Sequence, residues 1–178
     1  MKRKVKVDMD ELDTALNWGI SEWNHYLDLE TGKVVGIDDE TRRTLEELIE
    51  EMYDEDDNQL ITLEKLLEQR EDIQDWQKEI LLEADRVDRE YGHRYISVEP
   101  DDSYQDYNDM DRFIGTVRDD QLQDQLWRAI RGRGAFRRFK DLIARHSDVE
   151  EQWYAYKDAR AKERLLRWLD AHDIEPII

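Results

Sequence analysis

WNHYLDLETGKVVGI, residues 23–37, decides the fold class. Trp23, His25, Leu27 and Leu29 alternate with Asn24, Tyr26 and Asp28, the two-residue period of a strand. Glu30, Thr31 and Gly32 supply a short turn with glycine at the left-handed position, and β-branched Val34, Val35 and Ile37 return as a second strand. A lone hairpin is marginal in water and needs a third strand or a helix against it. Tyr95, Ile96 and Val98, within residues 94–99 and closed by Pro100, supply that strand. The sequence thus predicts a small antiparallel sheet of residues 23–29, 33–37 and 94–98.

Elsewhere the apolar spacing is helical. Asp8 and Glu11 have the form of a capping box for a helix carrying Met9, Leu12, Ala15 and Leu16 and stopped by Gly19. Asp38 and Asp39 put acids at the positive end of a helix with Leu45, Leu48, Ile49, Met52 and Tyr53 on one stripe. A short face from Ile61, Leu63, Leu66 and Leu67 follows. Ile73, Trp76, Ile80, Ala84, Val87 and Tyr91 then recur at three and four until Gly92. Asp101, Asp102 and Ser103 cap a helix with Tyr107, Met110, Ile114 and Val117, and Asp119 opens one with Leu122, Leu126, Ala129 and Ile130. Ser147 and Asp148 cap the last, where Val149, Trp153, Tyr156, Ala159, Leu166 and Leu169 face inward.

No Pro/Ser/Gly-rich linker and no repeat interrupts this pattern. The expectation is one α+β domain over residues 1–178, mostly helical. Residues 5–100 hold the hairpin, acidic helices and third strand, and residues 101–174 form a C-terminal helical layer. Helices are expected to cover one face of the sheet.

Composition narrows the function classes. Six Trp, eight Tyr and many Leu supply a core despite 41% charged residues. The absence of cysteine removes disulfides, thiol catalysis and Cys-ligated metal, and fits a reducing cytoplasm. No apolar run approaches a membrane span, and Met1-Lys2-Arg3-Lys4 leads into no apolar segment of a signal peptide. A formal net charge of −19 repels nucleic-acid phosphates overall. It fits solubility, salt adaptation, or mimicry of nucleic acid towards a basic protein partner.

The charge is unevenly spread. Acids concentrate between Asp38 and Asp75, whereas LWRAIRGRGAFRRFKDLI, residues 126–143, is the densest basic patch. Gly132 and Gly134 break two helical patterns there, and Phe136, Phe139, Leu142 and Ile143 form one face of the second. Arg133, Arg137 and Arg138 crowd a helix start, where the backbone field is already positive and acids are normally favoured. Such a corner calls for an anion: the protein's own carboxylates, a bound phosphate or nucleic acid, or an acidic partner. Arg131, Arg133, Arg137, Arg138 and Lys140, with Trp153 and Tyr154 downstream, are therefore the candidate anion- or partner-binding residues.

No reaction is encoded in a recognisable motif. Asp54, Asp56 and Asn58 fall at the first, third and fifth EF-hand positions, but Gln59 replaces the turn glycine and Lys65 the bidentate glutamate. His25, His93, His146 and His172 lie far apart, without metal-ligand spacing. No nucleophile elbow or phosphate-cradling glycine loop occurs. The sequence assigns no catalytic residue, no metal and no cofactor.

Three segments resemble one family: HYLDLETGKVVGIDDE; RYISVEPDDSYQDYNDMDRFIGTV; and GRGAFRRFKDLI followed by EEQWYAYKDARAKERLLRWLDAHDI. Their order and content are similar to bacterial uncharacterised protein family 0158, over most of residues 5–174, with residues 58–85 the divergent portion. Gly132, Gly134, Phe136, Arg137, Arg138, Phe139, Lys140, Trp153 and Tyr154 stand on its most specific stretch. The resemblance implies the fold and carries over no activity. Three function classes follow: a non-enzymatic interaction or regulatory protein, an anion, nucleotide or nucleic-acid binding module at the arginine corner, or an enzyme whose site assembles only on folding. The first is preferred because no catalytic constellation stands against it.

Overall fold

A computed structural model describes residues 1–18, 22–54, 61–100 and 104–177. The stop at Gly19, the acidic loop from Glu55 to Asn58 and the cap at residues 101–103 lie outside them. The chain divides into two compact units, Met1–Pro100 with Asp173–Ile178, and Asp101–His172.

The first unit contains β1 (Arg3–Val5), α1 (Met9–Trp18), β2 (Trp23–Asp28), β3 (Val34–Asp38), α2 (Asp39–Asp54), α3 (Leu63–Gln69), α4 (Asp75–Arg89), β4 (Tyr95–Val98) and β5 (Ile174–Pro176). β2 is the centre of the three-stranded antiparallel sheet, order β3-β2-β4, with Tyr26 opposite both Val35 and Ser97. The expected hairpin and third strand are therefore present.

The turn is built on Asp28. Its Oδ1 accepts the N–H groups of Glu30 (2.9 Å) and Thr31 (3.4 Å), closing the chain back towards Lys33. Gly32 has φ +74°, and a Cβ there would stand 1.8 Å from the Lys6 carbonyl oxygen. Only glycine allows both the left-handed backbone and this approach. Asp28 then reaches the third strand: Arg94 Nε and Nη2 donate to its two oxygens at 3.0 and 2.8 Å. This planar fork joins the end of β2 to the residue preceding β4. Arg94 also pairs with Glu30 at 3.0 Å and lies 5.2 Å from the centre of the Tyr95 ring.

Both faces of the sheet are covered, where the sequence predicts one. Ile37 and Tyr95 belong to a core with Leu45 and Leu48 of α2, Leu63 and Leu67 of α3, and Leu81, Ala84 and Val87 of α4. On the other face Leu27 and Val98 are buried, and α1 lies against β3 and β4 with Leu12, Ala15 and Leu16 buried. The α1 capping box is half formed. Asp8 accepts the Glu11 N–H, but the Glu11 carboxylate accepts the N–H of Val34. A pairing invisible to local periodicity completes the unit, because β1 and β5 lie parallel with Arg3 opposite Ile174.

The second unit holds α5 (Tyr104–Ile114), α6 (Asp120–Ala129), α7 (Ala135–Ile143) and α8 (Ser147–Ala171). Trp153 lies in its core between Phe113 and Phe139, ring centroids 5.2 and 4.8 Å away. Asp109 on α5, 1% exposed, is held by Arg164 of α8 at 2.8 Å and by Arg160 at 3.4 Å. The last helix begins without a side-chain cap, its flanking residue being His146 rather than a serine or aspartate.

Several predicted core positions are displaced. Leu165 is buried on α8, whereas Leu166 is 47% exposed. On α4 the core face runs through Leu81, Ala84 and Val87, leaving Trp76 57% exposed, and Tyr91 past the helix end is 56% exposed. Tyr53, in the last turn of α2, is 80% exposed. Periodicity counts these aromatics as core, but all three lie at or just beyond a helix end.

Asp28 is 3% exposed, and its hydrogen bond with Arg94 is the largest of the influences that favour its charged form. Burial works the other way, and the carboxyl is held at about 2, below its ordinary 3.8. A depressed carboxyl contributes stability above its unfolded value and loses it as pH falls through the folded one. Denaturant unfolding of Asp28→Asn is therefore expected to show about 2 kcal/mol less stability than the wild type at neutral pH. That gap shrinks as pH falls from about 4 to 2. A gap constant over that range would contradict this role for Asp28.

Candidate functional site

The basic corner between α6 and α7 contains the predicted binding residues, and the structure separates them by task. Gly132 (φ +73°) and Gly134 (φ +75°) turn the chain, and Gly134 immediately precedes α7. The Arg138 side chain folds back over this turn. Its guanidinium donates to the carbonyl oxygens of Ala129 (2.9 Å), Arg131 (2.6 Å) and Arg133. These carbonyls sit at the end of α6 and in the corner, where acceptors lack intrahelical partners and the field is negative. Arg138 is thus a cap for the preceding helix. Its partners are neutral backbone carbonyls and not the expected anion, and the five-donor fork is well shaped for them. A Cβ on Gly134 would stand 3.0 Å from Arg138 Nη1, so the second glycine also leaves room for the guanidinium.

Arg131, Arg133, Arg137 and Lys140 are exposed. The Arg137 side chain is 90% exposed, and its one ion pair among the described residues is with Asp141 at 4.0 Å. Lys140 Nζ lies 4.8 Å from the centre of the half-buried Phe136 ring, and Lys157 Nζ 5.5 Å from it. Burial lowers the Lys157 pKa, the main influence, with Lys140 and Arg164 adding to it and Asp106 and Asp109 opposing it. Tyr154 is 46% exposed, but Trp153 is 1% exposed in the core, where its indole N–H has no hydrogen-bond partner among the described residues. The structure therefore gathers Arg131, Arg133, Arg137 and Lys140 on the corner's surface and withdraws Trp153 from it.

The opposite charge accumulates on the first unit, which contains 31 Asp and Glu against 13 Lys and Arg. In the second unit the numbers are 15 and 14. Several bases of the first unit are already engaged: Arg42 with Asp88 at 3.1 Å, Arg70 with Asp72 at 2.8 Å and Glu51 at 2.9 Å, and Arg89 with Asp85 at 2.7 Å. Glu47 and Glu50 on α2, and Glu64 and Glu68 on α3, are exposed. They have no ion pair among the described residues, and each pair sits at helical spacing where like charges repel.

Among the described residues no three His, Asp or Glu side chains converge as a metal site, and no helix is long and apolar enough to cross a membrane.

The division of labour at the corner is measurable by chemical denaturation. Arg138→Ala is expected to lower stability by about 1–2 kcal/mol through lost charged hydrogen bonds, and Arg138→Lys by about 1 kcal/mol, since an ammonium cannot span the three carbonyls. Arg137→Ala is expected to stay within about 0.5 kcal/mol of wild type. Equal effects at the two positions would contradict the assignment.

Comparison with known proteins agrees with the segments that resemble a family. A UPF0158 protein of Pseudomonas aeruginosa is 27% identical over 175 residues, covering 98% of this chain and 88% of the relative. No solved structure matches. The sequence model of the uncharacterised protein family UPF0158 matches residues 68–178, from the end of α3 through the arginine corner and α8. The chain belongs to uncharacterised protein family UPF0158.

Proposed function

We propose that the protein is a non-enzymatic interaction or regulatory module whose acidic unit receives a basic protein surface. The observation that carries this reading is the charge partition: an excess of 18 acids on one compact unit and of one on the other. Like charges at Glu47/Glu50 and Glu64/Glu68 each disfavour the free protein by a few tenths of a kcal/mol, roughly the size of i,i+3 and i,i+4 repulsions. A cationic partner removes that repulsion on binding and is also steered in by the field. The folded protein would act in a reducing cytoplasm, as the lack of cysteine suggests.

A second reading rests on the four exposed cations at the corner, Arg131, Arg133, Arg137 and Lys140, which suit an anion or the backbone of a nucleic acid. The acidic remainder of the chain opposes that use.

Calorimetric titration separates the two. Oligo-lysine should bind with an affinity that falls steeply with salt. Replacing Glu47, Glu50, Glu64 and Glu68 together by glutamine should weaken it at least about tenfold, the equivalent of roughly 1.4 kcal/mol. Replacing Asp124, Glu150, Glu151 and Asp158 of the other unit by their amides should change it by less than about twofold. Equal effects of the two sets, or no binding of oligo-lysine, would overturn the proposal. Saturable binding of a single-stranded oligonucleotide that is lost in Arg133→Gln would favour the second reading instead.

A further inference from the structure

Trp76 is out of place for a residue on a predicted apolar stripe. Its indole is 57% exposed, yet its N–H donates to Gln74 Oε1 at 2.6 Å, so the ring is held while much of its surface stays open. It lines a groove of about 330 Å³ between the starts of α2 and α4, together with Ile73, Ile80 and the carboxylates of Asp38, Glu40 and Asp72.

These carboxylates differ in what they already hold. Asp72 is gripped by Arg70 through two hydrogen bonds of 2.8 and 2.9 Å, which keeps it ionised and neutralises it. Asp38 accepts the N–H and hydroxyl of Thr41 at 2.7 and 3.1 Å, acting as a helix cap with no cation on it among the described residues. Glu40 is exposed, and its carboxylate has no partner among the described residues. The groove therefore combines an open aromatic face, aliphatic side chains and, in Glu40, a carboxylate without an ion-pair partner among the described residues.

We infer that this groove seats an arginine side chain of the basic partner, an inference that rests on the function proposed above. The aliphatic stem suits Ile73 and Ile80, the planar guanidinium stacks on an indole better than an ammonium does, and its donors meet Glu40 and Asp38. Charge complementarity selects a cation over a neutral apolar group.

The test is titration of the full chain with an oligo-arginine peptide, alongside oligo-lysine of equal length. Oligo-arginine should bind more tightly. Trp76→Ala should weaken it about tenfold, the range of a partly desolvated cation–aromatic contact, with Trp76→Phe intermediate. Glu40→Gln should weaken it more than Glu68→Gln, which removes the same charge from α3. Circular dichroism and the melting temperature check that these surface variants remain folded. If Trp76→Ala leaves the affinity unchanged, or Glu40→Gln and Glu68→Gln act alike, the groove is not the seat, although the acidic unit still binds cations. If neither peptide binds the wild type, the broader proposal falls as well, and this one with it.

Discussion

The structure of the first unit depends on the fork between Asp28 and Arg94. Asp28 does two things with one carboxylate. It folds the hairpin through the N–H groups of Glu30 and Thr31, and it fixes the approach of β4 through the Arg94 guanidinium. A partly buried ion pair is not automatically stabilising, because both charges leave water to form it. Here the Asp28 side chain is 5% exposed but that of Arg94 is 21% exposed, so one partner keeps part of its hydration. The pair also sits where a register error would be most costly. A one-residue slip of β4 would carry Tyr95 and Val98 to the wrong faces of a sheet covered on both sides.

That covering explains what the sequence makes legible and what it hides. The hairpin was readable because its information is local: alternation in residues 23–29, a glycine that must adopt positive φ, and a β-branched return. The third strand was readable for the same reason, but which strand of the hairpin it joins was not, and the structure places it beside β2. The parallel contact of residues 3–5 with 174–176 was not, since three-residue segments so far apart leave no period to detect. Nor was the role of α1 opposite α2 and α4. Its apolar stripe announces a buried face but not which surface buries it.

The arginine corner shows a different limit. The sequence marks Arg133, Arg137 and Arg138 as calling for an anion, because all three are placed near a positive helix end. It could not show that Arg138 turns back towards the carbonyls ending the previous helix, since that depends on the angle set by Gly132 and Gly134. Once Arg138 is explained by the backbone, the corner retains fewer free cations than its composition suggests. Attention moves to the acidic unit, where Trp76, Tyr53 and Tyr91 are more than half exposed although their spacing marks them as core. Aromatics read as core by periodicity and found exposed are the places where local pattern and global packing disagree, and such disagreements are expected where a surface is used.

A double-mutant cycle across Asp28 and Arg94 tests the central claim most directly, with unfolding free energies measured at neutral pH for wild type, Asp28→Asn, Arg94→Met and the double variant. If the fork is what binds the third strand to the hairpin, the two substitutions are non-additive by about 2 kcal/mol, because the second removes a partner already lost. Additivity within about 0.5 kcal/mol would contradict the account and leave the sheet held by its apolar faces alone.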